Sequence, residues 1–67
     1  HDTHIGNHCH ISTGVLVNGG ATIGDGSFVG SGAVVHQGIK IGKNAIIAAG
    51  AVIKRDIENN EIVGGNL

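Results

Sequence analysis

The sequence repeats with a period of six residues. An isoleucine or valine occupies every sixth position without interruption, at 5, 11, 17, 23, 29, 35, 41, 47 and 53. An amphipathic helix requires a period near 3.6 residues, and a half-buried strand requires a longer alternation of apolar and polar residues. A period of six instead predicts a short strand, a turn and another short strand, with the β-branched side chains pointing into a common interior.

A second period of eighteen residues groups these units in threes. The pair Ile-Gly recurs at 5–6, 23–24 and 41–42, and a similar five-residue segment recurs at 13–17, 31–35 and 49–53. Three units would close one triangular coil, and equivalent residues of successive coils would stack about 4.8 Å apart in parallel strands. We therefore predict an all-β solenoid of about three coils over residues 5–58. The polar segment 54–61 breaks the period, and 59–67 is expected to be an exit segment of a single domain, 1–67.

The third residue after most of the repeated positions is suited to a turn. Glycine stands there at 14, 20, 26, 32, 38 and 50, and His8 and Asn44 stand at two equivalent positions. Glycine and asparagine tolerate a positive φ, so these residues are predicted to form the corners of the coil. Cys9 comes one residue later, at a small inward position, and is expected to be a core thiol.

Composition excludes several classes of protein. The formal charge is −1 and the four basic residues are scattered, so no basic surface for nucleic acid or an anionic membrane is expected. The longest apolar run, 45–49, is too short to span a bilayer. A single cysteine fits a reducing compartment, and we expect a cytoplasmic location. The chain starts within the repeat and without a methionine, so we interpret it as a fragment of a longer protein.

The residue before each repeated position is predicted to point outward, and stacking arranges these residues in three columns. The columns are His10, Phe28 and Ile46; Leu16, Val34 and Val52; and His4, Thr22 and Lys40. Single exposed apolar residues are common, but a monomer rarely exposes continuous apolar columns. We therefore expect the first two columns to be buried against other subunits and the third to face water.

These repeats, together with the segment HDTHIGNHCHISTG at 1–14, resemble the hexapeptide-repeat acyltransferase superfamily. Within it, the segment is similar to the sialic acid O-acetyltransferase-like and UDP-amino-sugar N-acetyltransferase family. That family has HD or HE, then IG, then a second histidine before the hexapeptide run. The ending IVGGNL also resembles its closing stretch. The resemblance implies a left-handed parallel β-helix, a homotrimer of parallel prisms and active sites between neighbouring subunits.

The same resemblance implies a catalytic pair at the start of the chain. His1 would be the general base that takes a proton from the acceptor, and Asp2 would orient His1 and raise its basicity. The acceptor would be the amino or hydroxyl group of a sugar or nucleotide-sugar, and it would attack the thioester of acetyl-CoA directly.

The resemblance also implies a set of residues that bind acetyl-CoA. His10 would contact the thioester region from the adjacent subunit. Ser31 and Ala49 would contact acetyl-CoA along a row of small corner residues, and Gly19 is a further candidate for a contact with acetyl-CoA. His4 and His36 are expected to be surface residues, with a contact to the substrate as the lesser alternative.

Two alternative functions are compatible with such a coil. One is a non-catalytic β-solenoid assembly module in which the histidines are incidental. The other is a metal enzyme of the gamma-type carbonic anhydrase kind, which carries zinc between subunits. The signature of that enzyme includes two histidines five residues apart, a spacing that is absent among the first four histidines here. No metal ligand is predicted.

Overall fold

The computed structural model describes residues 2–64 and contains strands of only two residues each. In chain order they are β1 (His4–Ile5), β2 (His10–Ile11), β3 (Leu16–Val17), β4 (Thr22–Ile23), β5 (Phe28–Val29), β6 (Val34–Val35), β7 (Lys40–Ile41), β8 (Ile46–Ile47), β9 (Val52–Ile53) and β10 (Ile62–Val63). Each strand ends on an isoleucine or valine, and the first nine end at the positions of the six-residue repeat.

The strands form three parallel sheets, which are the faces of a triangular prism. Face A contains β1, β4 and β7; face B contains β2, β5, β8 and β10; face C contains β3, β6 and β9. Pairing joins residues eighteen apart, as in Ile5 with Ile23 and Ile23 with Ile41. The predicted all-β, left-handed parallel β-helix is therefore confirmed. Residues 2–64 contain no helix that is long and apolar enough to cross a membrane.

The inward side chains form a single core. Its buried members are Ala21, Ile23, Val29, Ala33, Val35, Ile39, Ile41, Ala45, Ile47, Ala51, Ile53 and Ile57. Ser27 is the buried polar residue of this interior, and its hydroxyl donates to the Gly42 carbonyl at 2.7 Å. Cys9 occupies the equivalent position one coil earlier, where its thiol donates to the Gly24 carbonyl at 3.2 Å. Cys9 packs against the core, as predicted.

The corners have the backbone conformation that the sequence predicts. Every glycine at the predicted corner positions has a φ between 71° and 74°. His8 and Asn44 share this left-handed conformation, with φ values of 59° and 53°. His8 is therefore a corner residue, and its side chain is exposed.

Glycine is required at Gly24 for a different reason, because successive coils approach closely there. A Cβ added to Gly24 would lie 2.6 Å from the carbonyl carbon of Gly42 and 2.7 Å from the amide nitrogen of Lys43. Both are backbone atoms, which cannot move aside without displacing the next coil. The repeated Ile-Gly pair thus combines an inward anchor with a point of close contact.

The third corner between faces C and A is two residues shorter than the first two. Ile57 pairs with Ile41, and Ile62 pairs with Ile46, so both partners are sixteen residues apart. The predicted break in the period at 54–61 is thus present, but the coil continues through it. Ile57 is buried, and β10, which lies within the expected exit segment 59–67, adds a fourth strand to face B.

An ion pair links this short corner to the last strand. The Arg55 guanidinium donates to the two carboxylate oxygens of Glu61 at 2.5 and 3.2 Å. The Glu58 amide donates to the same carboxylate at 3.0 Å. The hydrogen bond from Arg55, and then that from Glu58, lower the pKa of Glu61, while the same hydrogen bond raises the pKa of Arg55.

The two classes of glycine predict different costs of substitution. Gly24→Ala forces a Cβ against backbone, and we expect it to reduce the free energy of unfolding by about 3 kcal/mol. The Cβ of Gly50→Ala would have no neighbouring atom within 4 Å, so the only cost is that of a side chain at a φ of 74°. We expect this variant to lose about 1–2 kcal/mol of the free energy of unfolding. Urea unfolding of both variants measures the difference, and equal losses would contradict the proposed close approach.

The pair of Arg55 and Glu61 predicts a small pH dependence of stability. Because the pKa of Glu61 is lowered in the folded state, its contribution is present above the unfolded pKa of about 4.3 and is lost as the pH falls through the folded value. We expect Glu61→Gln to lower the urea midpoint slightly at pH 7 and by less at pH 3. A difference that persists unchanged at pH 3 would show that the charge of Glu61 is unimportant.

Candidate functional site

A cleft lies on the edge between faces C and A. It is open to solvent and has a volume of about 630 Å³. Its walls are Asp2 and two corners stacked one coil apart, namely Asn18, Gly19, Gly20, His36, Gln37 and Gly38. The cleft is therefore formed by the beginning of the described chain and by the first two corners of this edge.

Hydrogen bonds between the two coils hold these corners in place. The Gly38 amide donates to the Gly19 carbonyl at 3.1 Å. The Asn18 amide and side chain both donate to the Val35 carbonyl, at 3.0 and 3.1 Å. The Thr3 hydroxyl donates to the Asn18 carbonyl at 3.4 Å, which ties the segment that carries Asp2 to the same edge.

The cleft combines a carboxylate, an imidazole and amide side chains around glycine backbone. The Asp2 carboxylate accepts hydrogen bonds, whereas the His36 imidazole and the Gln37 amide can each donate and accept. Gly19 and Gly20 have no side chain, so a ligand can approach the backbone closely. Such a set can orient a polar ligand and can exchange a proton with it.

Some of the residues that line this cleft were predicted as site residues from the sequence, and others were not. Asp2 and Gly19, which were assigned to catalysis and to cofactor binding, line the same cleft. His1, the predicted general base, lies outside the described residues. His36 is exposed, as expected, and it also lines the cleft, although the sequence analysis did not name it among the site residues. The sequence could have indicated this position, because His36 stands eighteen residues after Asn18 and is therefore stacked on it at the same edge.

The other predicted cofactor residues lie elsewhere on the prism. His10 is exposed on face B, where its ring stacks on that of Phe28 with a centroid distance of 4.9 Å and an interplanar angle of 12°. Ser31 and Ala49 are exposed at the corners between faces B and C. Face C separates this group from Asp2 and Gly19. One chain therefore presents two groups of predicted site residues, on two different edges.

The outward columns of faces B and C are apolar and accessible. On face B, Phe28, Ile46 and Ile62 are 40, 45 and 72% exposed; on face C, Leu16 and Val52 are 60 and 50% exposed. Face A presents His4, Thr22 and Lys40 instead. The predicted orientation of all three columns is confirmed, and their burial against other subunits stays a prediction.

The part of the chain that the structure describes has no group of three His, Cys, Asp or Glu side chains placed to hold a metal ion. The described histidines near the start of the chain, His4, His8 and His10, lie on face A, at a corner and on face B. They do not converge on one point.

Comparison with known families agrees with this architecture. A family profile described as "bacterial transferase hexapeptide (six repeats)" matches residues 2–37 and, displaced by one coil, residues 20–55. Each match covers more than half of the chain, and the chain belongs to this hexapeptide transferase family. Searches of curated proteins and of solved structures give no significant match. Family membership favours an acyltransferase-like function.

Proposed function

We propose that this protein is an acetyl-CoA-dependent acyltransferase that acetylates an amino or hydroxyl group of a sugar or nucleotide-sugar. The proposal depends on one observation. Asp2 and the corner residue Gly19 line the same cleft, in a chain of the hexapeptide transferase family. Acetyl-CoA is the acyl donor, and the sugar is the acceptor.

The proposed reaction requires a base beside the acceptor. The acceptor nitrogen or oxygen forms a bond to the thioester carbonyl carbon, the carbon–sulfur bond breaks, and CoA leaves as its thiolate. His1 accepts the proton that the acceptor loses and returns it to the thiolate. Asp2, the next residue in the chain, favours the charged imidazolium form of His1 and orients the ring.

The site is proposed to be completed by a second subunit. Asp2 and His10 lie on different sides of one prism, so His10 of the same chain is remote from the cleft. In a homotrimer of parallel prisms, His10 of a neighbour contacts the thioester region, and His10 and nearby backbone N–H groups help to hold the developing negative charge. The exposed apolar columns of faces B and C support such an assembly.

The proposed binding surface for acetyl-CoA runs along the small corner residues between faces B and C. Ser31 and Ala49 are stacked there one coil apart, and the Gly50 amide donates to the Ser31 carbonyl at 2.9 Å. Their small side chains allow a long, thin ligand to lie against the backbone. A cytoplasmic location is proposed because the chain has a single cysteine and so forms no internal disulfide, which fits a reducing compartment.

The first prediction from this proposal concerns the base. In the full-length protein, His1→Ala is expected to lower kcat by a factor of about 10²–10⁴, because a positioned base contributes that much. Asp2→Asn should lower it less, since Asp2 acts through His1. Release of CoA thiol from acetyl-CoA is measured with glucosamine and UDP-glucosamine as acceptors. His4→Ala, exposed on face A, is the control, and an unchanged rate in His1→Ala would contradict the assignment.

The second prediction concerns the assembly. Phe28→Asp places a charge in the apolar column of face B and is expected to dissociate the trimer and abolish acetyl transfer. Thr22→Asp introduces the same charge at the equivalent outward position of face A and should leave the trimer intact. Light scattering reports the mass of both variants. An unaltered mass for Phe28→Asp would refute face B as an interface.

A further inference from the structure

Hydrogen bonds fix the backbone of His36, whereas its side chain is exposed to solvent. The His36 amide donates to the Ile53 carbonyl at 3.0 Å, and the His36 carbonyl accepts from the Ile39 amide at 3.3 Å. Both backbone groups are therefore engaged. The side chain is exposed and lines the cleft that also contains Asp2.

Among the described residues, none is a partner of the His36 imidazole. Within residues 2–64 it makes no hydrogen bond, ion pair or ring stack, whereas the ring of His10 stacks on Phe28. Neutral imidazole offers one donor and one acceptor, and both ring nitrogens of His36 can therefore serve a ligand.

The composition of the cleft indicates which part of a ligand it suits. Asp2, Gln37 and His36 supply acceptors and donors together, and no lysine or arginine lines the cleft. Paired donors and acceptors match hydroxyl and amino groups, which themselves donate and accept. A phosphate would instead favour the fixed cationic donors of arginine or lysine.

The shortened third corner places His36 at the end of this surface. The corners that form the cleft contain the two-residue turns at 19–20 and 37–38. The next corner, at 54–56, is two residues shorter and contributes no residue to the cleft. His36 and Gln37 therefore lie on the last full corner of the edge, one coil beyond Gly19.

We infer that His36 is an acceptor-binding residue, whose imidazole hydrogen-bonds a hydroxyl or amino group of the sugar while His1 performs the proton transfer. The inference rests on the proposed function. It assigns substrate recognition to a residue of the second coil, away from the motif at the start of the chain.

Steady-state kinetics of the full-length protein test this role. His36→Leu removes both nitrogens and is expected to raise KM for glucosamine or UDP-glucosamine about three- to tenfold, the effect of one lost hydrogen bond. The kcat, its pH profile and KM for acetyl-CoA should not change. His36→Gln restores a donor and an acceptor and should recover part of the affinity. Lys54→Gln is the control, because Lys54 stands eighteen residues after His36, at the equivalent position of the next coil, but does not line the cleft.

The other outcomes separate this inference from the proposed function. An active wild type with an unchanged acceptor KM in His36→Leu would overturn only the role of His36. Loss of the acidic limb of the kcat profile in His36→Gln would also overturn it, because His36 would then be the base. A wild type that transfers no acetyl group to either sugar would overturn the proposed function and the inference with it.

A binding measurement makes the test independent of turnover and of variant folding. Either sugar, added to the wild-type protein, is expected to shift the ring proton resonances of His36 but not those of His4. Resonances of His36 that stay unchanged at saturating sugar would overturn the inference.

Discussion

Each coil of this protein is held in place by the coils on either side of it. Strands of two residues have no stability of their own, and every rung depends on parallel pairing and on inward packing against its neighbours. Ile23 shows the arrangement, because it pairs with both Ile5 and Ile41 and is only 2% exposed. Ile5, in the first rung, has a described neighbour on one side only and remains 49% exposed.

This dependence on neighbouring coils also arranges the chemistry. Stacking brings residues that are distant in sequence onto one edge, so that Gly19 and His36 contribute to the same cleft. The corners can carry such residues because a corner requires only a backbone conformation, whereas an inward position requires a particular size and shape. His8 illustrates the tolerance, since it adopts the left-handed conformation that glycine adopts at equivalent corners.

The prism shape divides the predicted site between two edges. Asp2 lies on one edge, whereas His10 stacks on Phe28 on face B and adjoins the other. A rigid solenoid cannot bend to bring them together, because its rungs are tied by hydrogen bonds along every face. The proposed function therefore requires assembly of subunits, and the exposed apolar columns provide surfaces for it.

The sequence by itself determined the coil, its corners, its inward residues and its outward columns, because a period of six assigns each side chain a direction and a period of eighteen assigns it a neighbour. Only the tertiary structure decided that the chain continues as a coil through Ile57 to β10, because the two missing corner residues change the pairing register and the repeat does not specify how it resumes. It alone also showed that Asp2 and His36 share a cleft. The repeat assigns Asp2 to this edge, because it stands eighteen residues before Gly20, and the Thr3 hydroxyl ties the segment there. The repeat does not specify that the side chains of Asp2 and His36 line one opening.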